Sequence, residues 1–199
     1  KNQSIDFKKV YGLDDRPIIA LLPGSRKQEI SKLLTEMLRI VDAYPQFQFI
    51  IAGAPSLNAD FYKPFIKQEN VQLILNDTYN LLNNSFAAIV TSGTATLETA
   101  LFNVPQVVVY KGNEISYQIA KRVIKLKYIS LVNLIMDEQI VTELIQKECN
   151  TANIKKEFDK VINNSDRSKM LAKYHELTEL LGGGGASERV INIIKKTLR

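Results

Sequence analysis

The sequence predicts an α/β protein organised around a parallel sheet, and three observations carry that prediction. Short apolar runs alternate with segments of helical period along most of the 199 residues. Several runs are apolar at every position, as in Ile18-Ile19-Ala20-Leu21-Leu22 and Val107-Val108-Val109, the pattern of strands buried on both faces. Helical segments join these runs, which makes the strands parallel with right-handed crossovers.

The first fifteen residues are polar and basic and lead into Asp15-Arg16-Pro17, so 1–16 read as an incoming linker. Strands are expected at 18–22, 47–52, 71–75, 87–91 and 106–110, with a shorter sixth at 128–131. Helices are expected at 28–44, 59–68, 79–84, 95–102 and 116–126. Beyond about residue 138 the strands are expected to stop, leaving helices at 139–147, 154–163, 166–181 and 187–198. Four consecutive glycines, Gly182 to Gly185, separate the last two, because such a run cannot be helix interior. The chain thus divides into a linker, a sheet domain over 17–148, and C-terminal helices over 149–199 with a glycine hinge.

An apolar share of 45% and a charged share of 24% describe an ordinary globular chain and exclude a disordered one. The longest aliphatic run, 18–22, is roughly a quarter of a bilayer-spanning helix. One cysteine, Cys149, excludes an internal disulfide, and with the single His175 it leaves no Cys/His metal cluster. A net charge of +5 suits a phosphorylated ligand or an anionic surface. The opening Lys1-Asn2-Gln3-Ser4 has neither an apolar signal segment nor an initiator Met, so a cytoplasmic piece of a longer protein is expected.

Ligands of open α/β sheets bind beyond the carboxyl ends of the strands, which directs attention to four loops. After the first strand, Pro23-Gly24-Ser25-Arg26 offers a tight turn, free amides at a helix start and a forked cation suited to phosphate. Ser25 with Gln28 equally fits a plain capping box. After the fourth strand, Thr91-Ser92-Gly93-Thr94 is a second small-residue turn feeding a helix, with amides and hydroxyls for an anion. One helical turn inward, Glu98 can accept from a ribose diol or simply complement the helix dipole. Two such turns on one sheet edge would form a diphosphate cradle. Lys111 follows the fifth strand, and Asn133 sits inside the apolar run 129–135, where its amide needs a base, a sugar or a loop carbonyl.

Other chemistries lack their motifs: no G-x-x-x-x-G-K-[ST], no G-x-G-x-x-G, no G-x-S-x-G elbow, and Glu179 where a second zinc-binding His would stand after His175-Glu176. Nothing in the pattern indicates nucleic-acid binding. The basic segment holding Lys121, Arg122, Lys125 and Lys127 complements a helix C-terminus or touches anionic lipid headgroups.

Ala20-Leu21-Leu22-Pro23-Gly24-Ser25-Arg26 with Glu29-Ile30, and Ser92-Gly93-Thr94-Ala95-Thr96-Leu97-Glu98, resemble the lipid-A-disaccharide synthase family. So do Val108-Val109-Tyr110-Lys111, Ala120-Lys121-Arg122, Ile129-Ser130-Leu131-Val132-Asn133-Leu134-Ile135 and Glu143-Leu144-Ile145-Gln146. Order and spacing match across about residues 17–148. The resemblance implies one Rossmann-like half of a GT-B glycosyltransferase, the nucleotide-donor half, with helices on both faces of the sheet. It implies transfer of 2,3-diacylglucosamine from UDP to 2,3-diacylglucosamine 1-phosphate, inverting to a β(1→6) disaccharide and releasing UDP. Gly24, Ser25, Arg26, Ser92, Gly93, Thr94, Glu98, Lys111 and Asn133 would bind UDP, with Arg26 stabilising the leaving diphosphate.

No metal or cofactor is implied. The acceptor site and general base would lie in a missing N-terminal half, leaving this piece inactive alone. Further expected partners are the cytoplasmic face of the inner membrane and a second copy joined by tail exchange. The alternatives are another UDP-sugar enzyme of this build, of the peptidoglycan glucosaminyltransferase or UDP-GlcNAc epimerase type, and a non-catalytic nucleotide-binding or peripheral membrane module.

Overall fold

A computed structural model describes residues 7–112 and 127–182. Six parallel strands form one sheet: β1 (Ile18–Leu22), β2 (Gln48–Gly53), β3 (Val71–Leu75), β4 (Ser85–Thr91), β5 (Gln106–Tyr110) and β6 (Glu143–Ile145). Their spatial order is β3-β2-β1-β4-β5-β6, so the order reverses between β1 and β4. The helices are α1 (Phe7–Val10), α2 (Lys27–Leu38), α3 (Ala59–Tyr62), α4 (Thr78–Asn83), α5 (Thr94–Leu101), α6 (Leu131–Met136), α7 (Thr151–Ile162) and α8 (Asn164–Leu181).

Strand alternation divides the core. Ile19, Leu21, Phe49, Ile51, Ile89, Val107 and Val109 face one side, packed by α2 and α7. Ile18, Ala20, Leu22, Ile50, Ala52, Ala88 and Val90 face the other, where Phe7 and the Leu81–Leu82 pair of α4 cover them. Farther along that side, Val108 lies under residues of α5, α6 and α8. Helix α2 buries Ile30, Leu33, Leu34, Met37 and Leu38, a stripe at helical spacing. Helix α7 is capped by Asn150, whose side chain accepts from the Asn153 amide, and it buries Ile154, Phe158 and Val161.

The first five predicted strands are present, three with the predicted ends. The sixth is not at 128–131: Ser130 caps α6 there, accepting from the Asn133 amide, so the apolar run continues as helix. The sixth strand lies instead inside the expected helix 139–147, where Glu143, Leu144 and Ile145 pair with Val108, Val109 and Tyr110. Pairing with a preformed edge outweighs the helix propensity of Glu and Leu. Helix α3 is a single turn of the expected 59–68 segment. The expected helices 116–126 and 187–198 lie outside the described residues, as do Gly183 to Gly185.

Two expected boundaries carry packed structure. Phe7 is buried with its ring 4.9 Å from that of Tyr11, while Tyr11 donates to Asp77 Oδ2 at 2.7 Å, so 7–13 are part of the fold and no linker. Past residue 149, α7 and α8 complete both faces of the sheet and cannot be set apart from it. Cys149 is buried, and desolvation pushes its thiol up to about 11. His175 is exposed on α8.

Phe158 lies 4.9 Å from the Tyr44 ring, 6.2 Å from Phe47 and 6.4 Å from Phe49. Phe158→Ala is expected to cost about 3–5 kcal/mol of unfolding free energy, read from a urea transition followed by circular dichroism.

Candidate functional site

The reversal of strand order places the carboxyl ends of β1 and β4 side by side, with Leu22 level with Val90. The turns that follow touch. Gly24 has φ 102°, and a Cβ added there would lie 3.1 Å from Thr91 Cγ2. Only glycine permits both the left-handed backbone and this approach.

Above the two turns opens a cleft of about 590 Å³, lined by Gly24, Ser25 and Arg26 from the first turn. Ser92, Gly93, Thr94 and Glu98 line it from the second. Helix α2 starts at Lys27 with no side-chain cap: its flanking residue is Arg26, and Ser25 does not form the capping box its spacing allows. The first amide bonded within that turn is Ile30, which donates to Arg26 O, so the preceding amides remain for an anion. Helix α5 likewise starts after Gly93 without a side-chain cap, and its first bonded amide is Thr96.

Ser92 contributes less than its position predicts. Its amide donates to Val109 O and its hydroxyl to Ile129 O at 2.8 Å, so donors toward the cleft come from Gly93 onward. Arg26 is exposed and its Nη1 lies 3.1 Å from Glu29 Oε1, a cleft residue with no role predicted for it. An incoming anion therefore competes with Glu29 for the guanidinium. At the rim, Tyr79 donates to Glu98 Oε1 at 3.3 Å, and the Glu98 charge raises the phenol above its ordinary value.

Two predicted residues are elsewhere. Asn133 is fully buried and its amide is saturated within the fold: Nδ2 donates to Val141 O and Glu143 Oε1, and Oδ1 accepts from the Ile140 and Val141 amides. The loop-carbonyl reading is the one the structure carries, and no hydrogen-bonding group is left for a nucleotide. Lys111 turns away from the cleft to Glu36 Oε1 at 2.9 Å and Cys149 O at 3.3 Å, joining the end of β5 to α2. Lys121, Arg122 and Lys125 lie outside the described residues, while Lys127 pairs with Asp137 at 3.3 Å.

The end of β2 and the turn that follows it, Ala52 to Pro55, also line the cleft. Buried Tyr62 holds it, accepting from the Ala54 amide at 2.8 Å. The same signal that marked the other loops, a small-residue turn after a strand, was present in Gly53-Ala54-Pro55. No group of three or more His, Cys, Asp or Glu residues suited to a metal occurs among the described residues.

The sequence matches the lipid-A-disaccharide synthetase family over residues 1–195. The chain belongs to that family. Curated lipid-A-disaccharide synthases from Coxiella burnetii (strain CbuG_Q212) and Geobacter sulfurreducens are 38% and 34% identical to it over 192 and 196 residues. Each alignment covers 94% of this chain and 51% of the relative, so the chain spans about half the length of these relatives. Among solved structures, UDP-GlcNAc 2-epimerase from Neisseria meningitidis bound to UDP-GlcNAc superposes with TM-score 0.59 and 20% identity. That match covers 95% of this chain and 48% of the epimerase. The C-terminal CMP-Kdo binding domain of WaaA from Acinetobacter baumannii gives TM-score 0.54 at 13% identity, covering 88% of this chain and 94% of that one. These likenesses show the fold, the Rossmann-like α/β unit of GT-B enzymes.

Two outcomes follow for this family member. Gly24→Ala is expected to lose about 1–3 kcal/mol of stability in chemical denaturation, from the backbone strain and the Thr91 contact. Burial alone pushes the Glu36 carboxyl up, but hydrogen bonds from Lys111 and Thr151 outweigh it and hold the group below its ordinary value of 4.5. A depressed folded-state value contributes stability above the unfolded one and loses it as pH falls through the folded one. Glu36→Gln should therefore be less stable than wild type at neutral pH, and the gap should close below about pH 4 in thermal melts.

Proposed function

We propose that this chain is the donor-nucleotide half of a lipid-A-disaccharide synthase, a hexosyltransferase that moves 2,3-diacylglucosamine from UDP to 2,3-diacylglucosamine 1-phosphate. The observation that carries the reading is the cleft at the β1/β4 reversal, where two uncapped helix starts and Arg26 converge on one space. Family membership supplies the reaction class, and a solved neighbour of the same fold is a protein bound to UDP-GlcNAc.

In this reading the diphosphate lies between the turns, held by the amides of Gly93, Thr94 and the start of α2. As the glycosidic bond to UDP breaks, negative charge accumulates on the β-phosphate, and Arg26 exchanges Glu29 for that charge. Glu98, steadied by Tyr79, accepts from the ribose hydroxyls. A base abstracts the acceptor 6-hydroxyl proton from the opposite face, giving inversion. That base belongs to the half of the enzyme beyond this chain, so the chain alone is expected to bind UDP weakly and transfer nothing. In this reading the enzyme works at the cytoplasmic face of the inner membrane, and the charges of Lys121, Arg122, Lys125 and Lys127 suit anionic headgroups. No helix among the described residues is long and apolar enough to cross a bilayer.

Calorimetric titration with UDP tests the site. Arg26→Ala and Glu98→Ala should each weaken binding by about tenfold, the scale of losing a charge-assisted hydrogen bond. Equal affinity in all three proteins would remove the assignment.

A further inference from the structure

The cleft turn after β4 is not held by its own helix alone. Behind it runs the segment 129–131, tied to the turn by two bonds: Ser92 Oγ donates to Ile129 O, and the Leu131 amide donates to Thr96 Oγ1 at 3.3 Å. Thr96 Oγ1 in turn donates to Gly93 O at 2.8 Å, reaching the residue that opens α5. Any shift of 129–131 is therefore passed directly to the backbone that faces the cleft.

What holds that segment is Glu143 at the start of β6. Its Oε2 accepts from the Ile129 amide at 2.9 Å. Its Oε1 accepts from the Ser130 amide at 2.9 Å, the Ser130 hydroxyl at 2.7 Å and Asn133 Nδ2 at 2.9 Å. Asn133 continues the anchor into the loop before β6 through Ile140 and Val141. Ser130, Asn133 and Thr96 are fully buried and Glu143 is half-buried, so these bonds are largely sheltered from water. A carboxylate in an edge strand has no need of this many internal donors for solubility; it is placed to fix Ile129, Ser130 and Asn133 of another segment.

We propose that Glu143 is a positioning residue for the nucleotide cleft: with Asn133 it clamps 129–131, and through Ser92 and Thr96 that clamp sets the turn that presents Gly93 and Thr94. The proposal deepens the donor-site reading and rests on it for the binding arm of its test. It also assigns Asn133 a role that its buried, saturated amide permits, one without substrate contact.

The chemistry dictates the variant. Both carboxylate oxygens accept from a backbone amide, so in Glu143→Gln the new NH2 meets an amide donor in either orientation. The size is kept and the clamp is broken. Amide hydrogen exchange on the full chain should show Ser92 and Thr96 exchanging about tenfold faster in Glu143→Gln, while Ile50 and Ile51 of β2 keep wild-type rates. Uniform acceleration that includes β2, or no change at Ser92 and Thr96, overturns the proposal. Thr96→Val, which cuts the other end of the connection, should give the same local pattern and serves if Glu143→Gln does not fold; a wild-type pattern in Thr96→Val counts against the proposal.

In UDP titrations of the same samples, Glu143→Gln should raise Kd about tenfold, with Arg26→Ala as reference. Loss in Arg26→Ala without loss in Glu143→Gln overturns the positioning role. No loss in either overturns the donor-site reading instead, and the exchange pattern then decides the clamp.

Discussion

The contact between Gly24 and Thr91 is the constraint on which the cleft depends. It exists because β1 and β4 are neighbours that end level while their crossovers leave in opposite directions across the sheet. Two helix starts are then forced into one space, and neither is closed by a serine or aspartate cap. Had Ser25 capped α2 as its spacing allows, the amides would be spent on the protein itself. The fold leaves them open toward the cleft.

Charge in the cleft is arranged with economy. Its formal charges include one cation, Arg26, and two carboxylates, Glu29 and Glu98. A strongly positive pocket would hold a diphosphate tightly before and after reaction alike, which does not favour turnover. Arg26 is exposed and paired with Glu29, so an anion entering the cleft meets a cation already partly neutralised. The uncapped starts of α2 and α5 add backbone-amide dipoles to the same space without adding net charge.

The fold was largely legible in the sequence because its strands are apolar throughout, as in 18–22 and 106–110, and periodicity finds such runs readily. Both cleft turns were legible for a related reason: small residues directly after a strand have few other uses. Three readings needed tertiary information. Glu143-Leu144-Ile145 is too short and too helix-prone to be read as a strand until β5 is in place beside it. Asn133 looked like a ligand because a polar residue in an apolar run must have a partner, but its partners are Ile140, Val141 and Glu143, seven to ten positions later. Lys111 stood at the right end of a strand, and only the position of Glu36 on α2 decides where its side chain goes.

The solitary thiol has a practical consequence. Cys149 is shut inside the core with its deprotonation suppressed, so the native sulfur is inert toward alkylating dyes and nitroxides while the fold holds. A reporter attached at an engineered cysteine on a solvent-facing site would be the sole label, with no background to subtract. Distances across the opening, and their response to an added nucleotide, thus become measurable by spectroscopy on an otherwise unaltered chain.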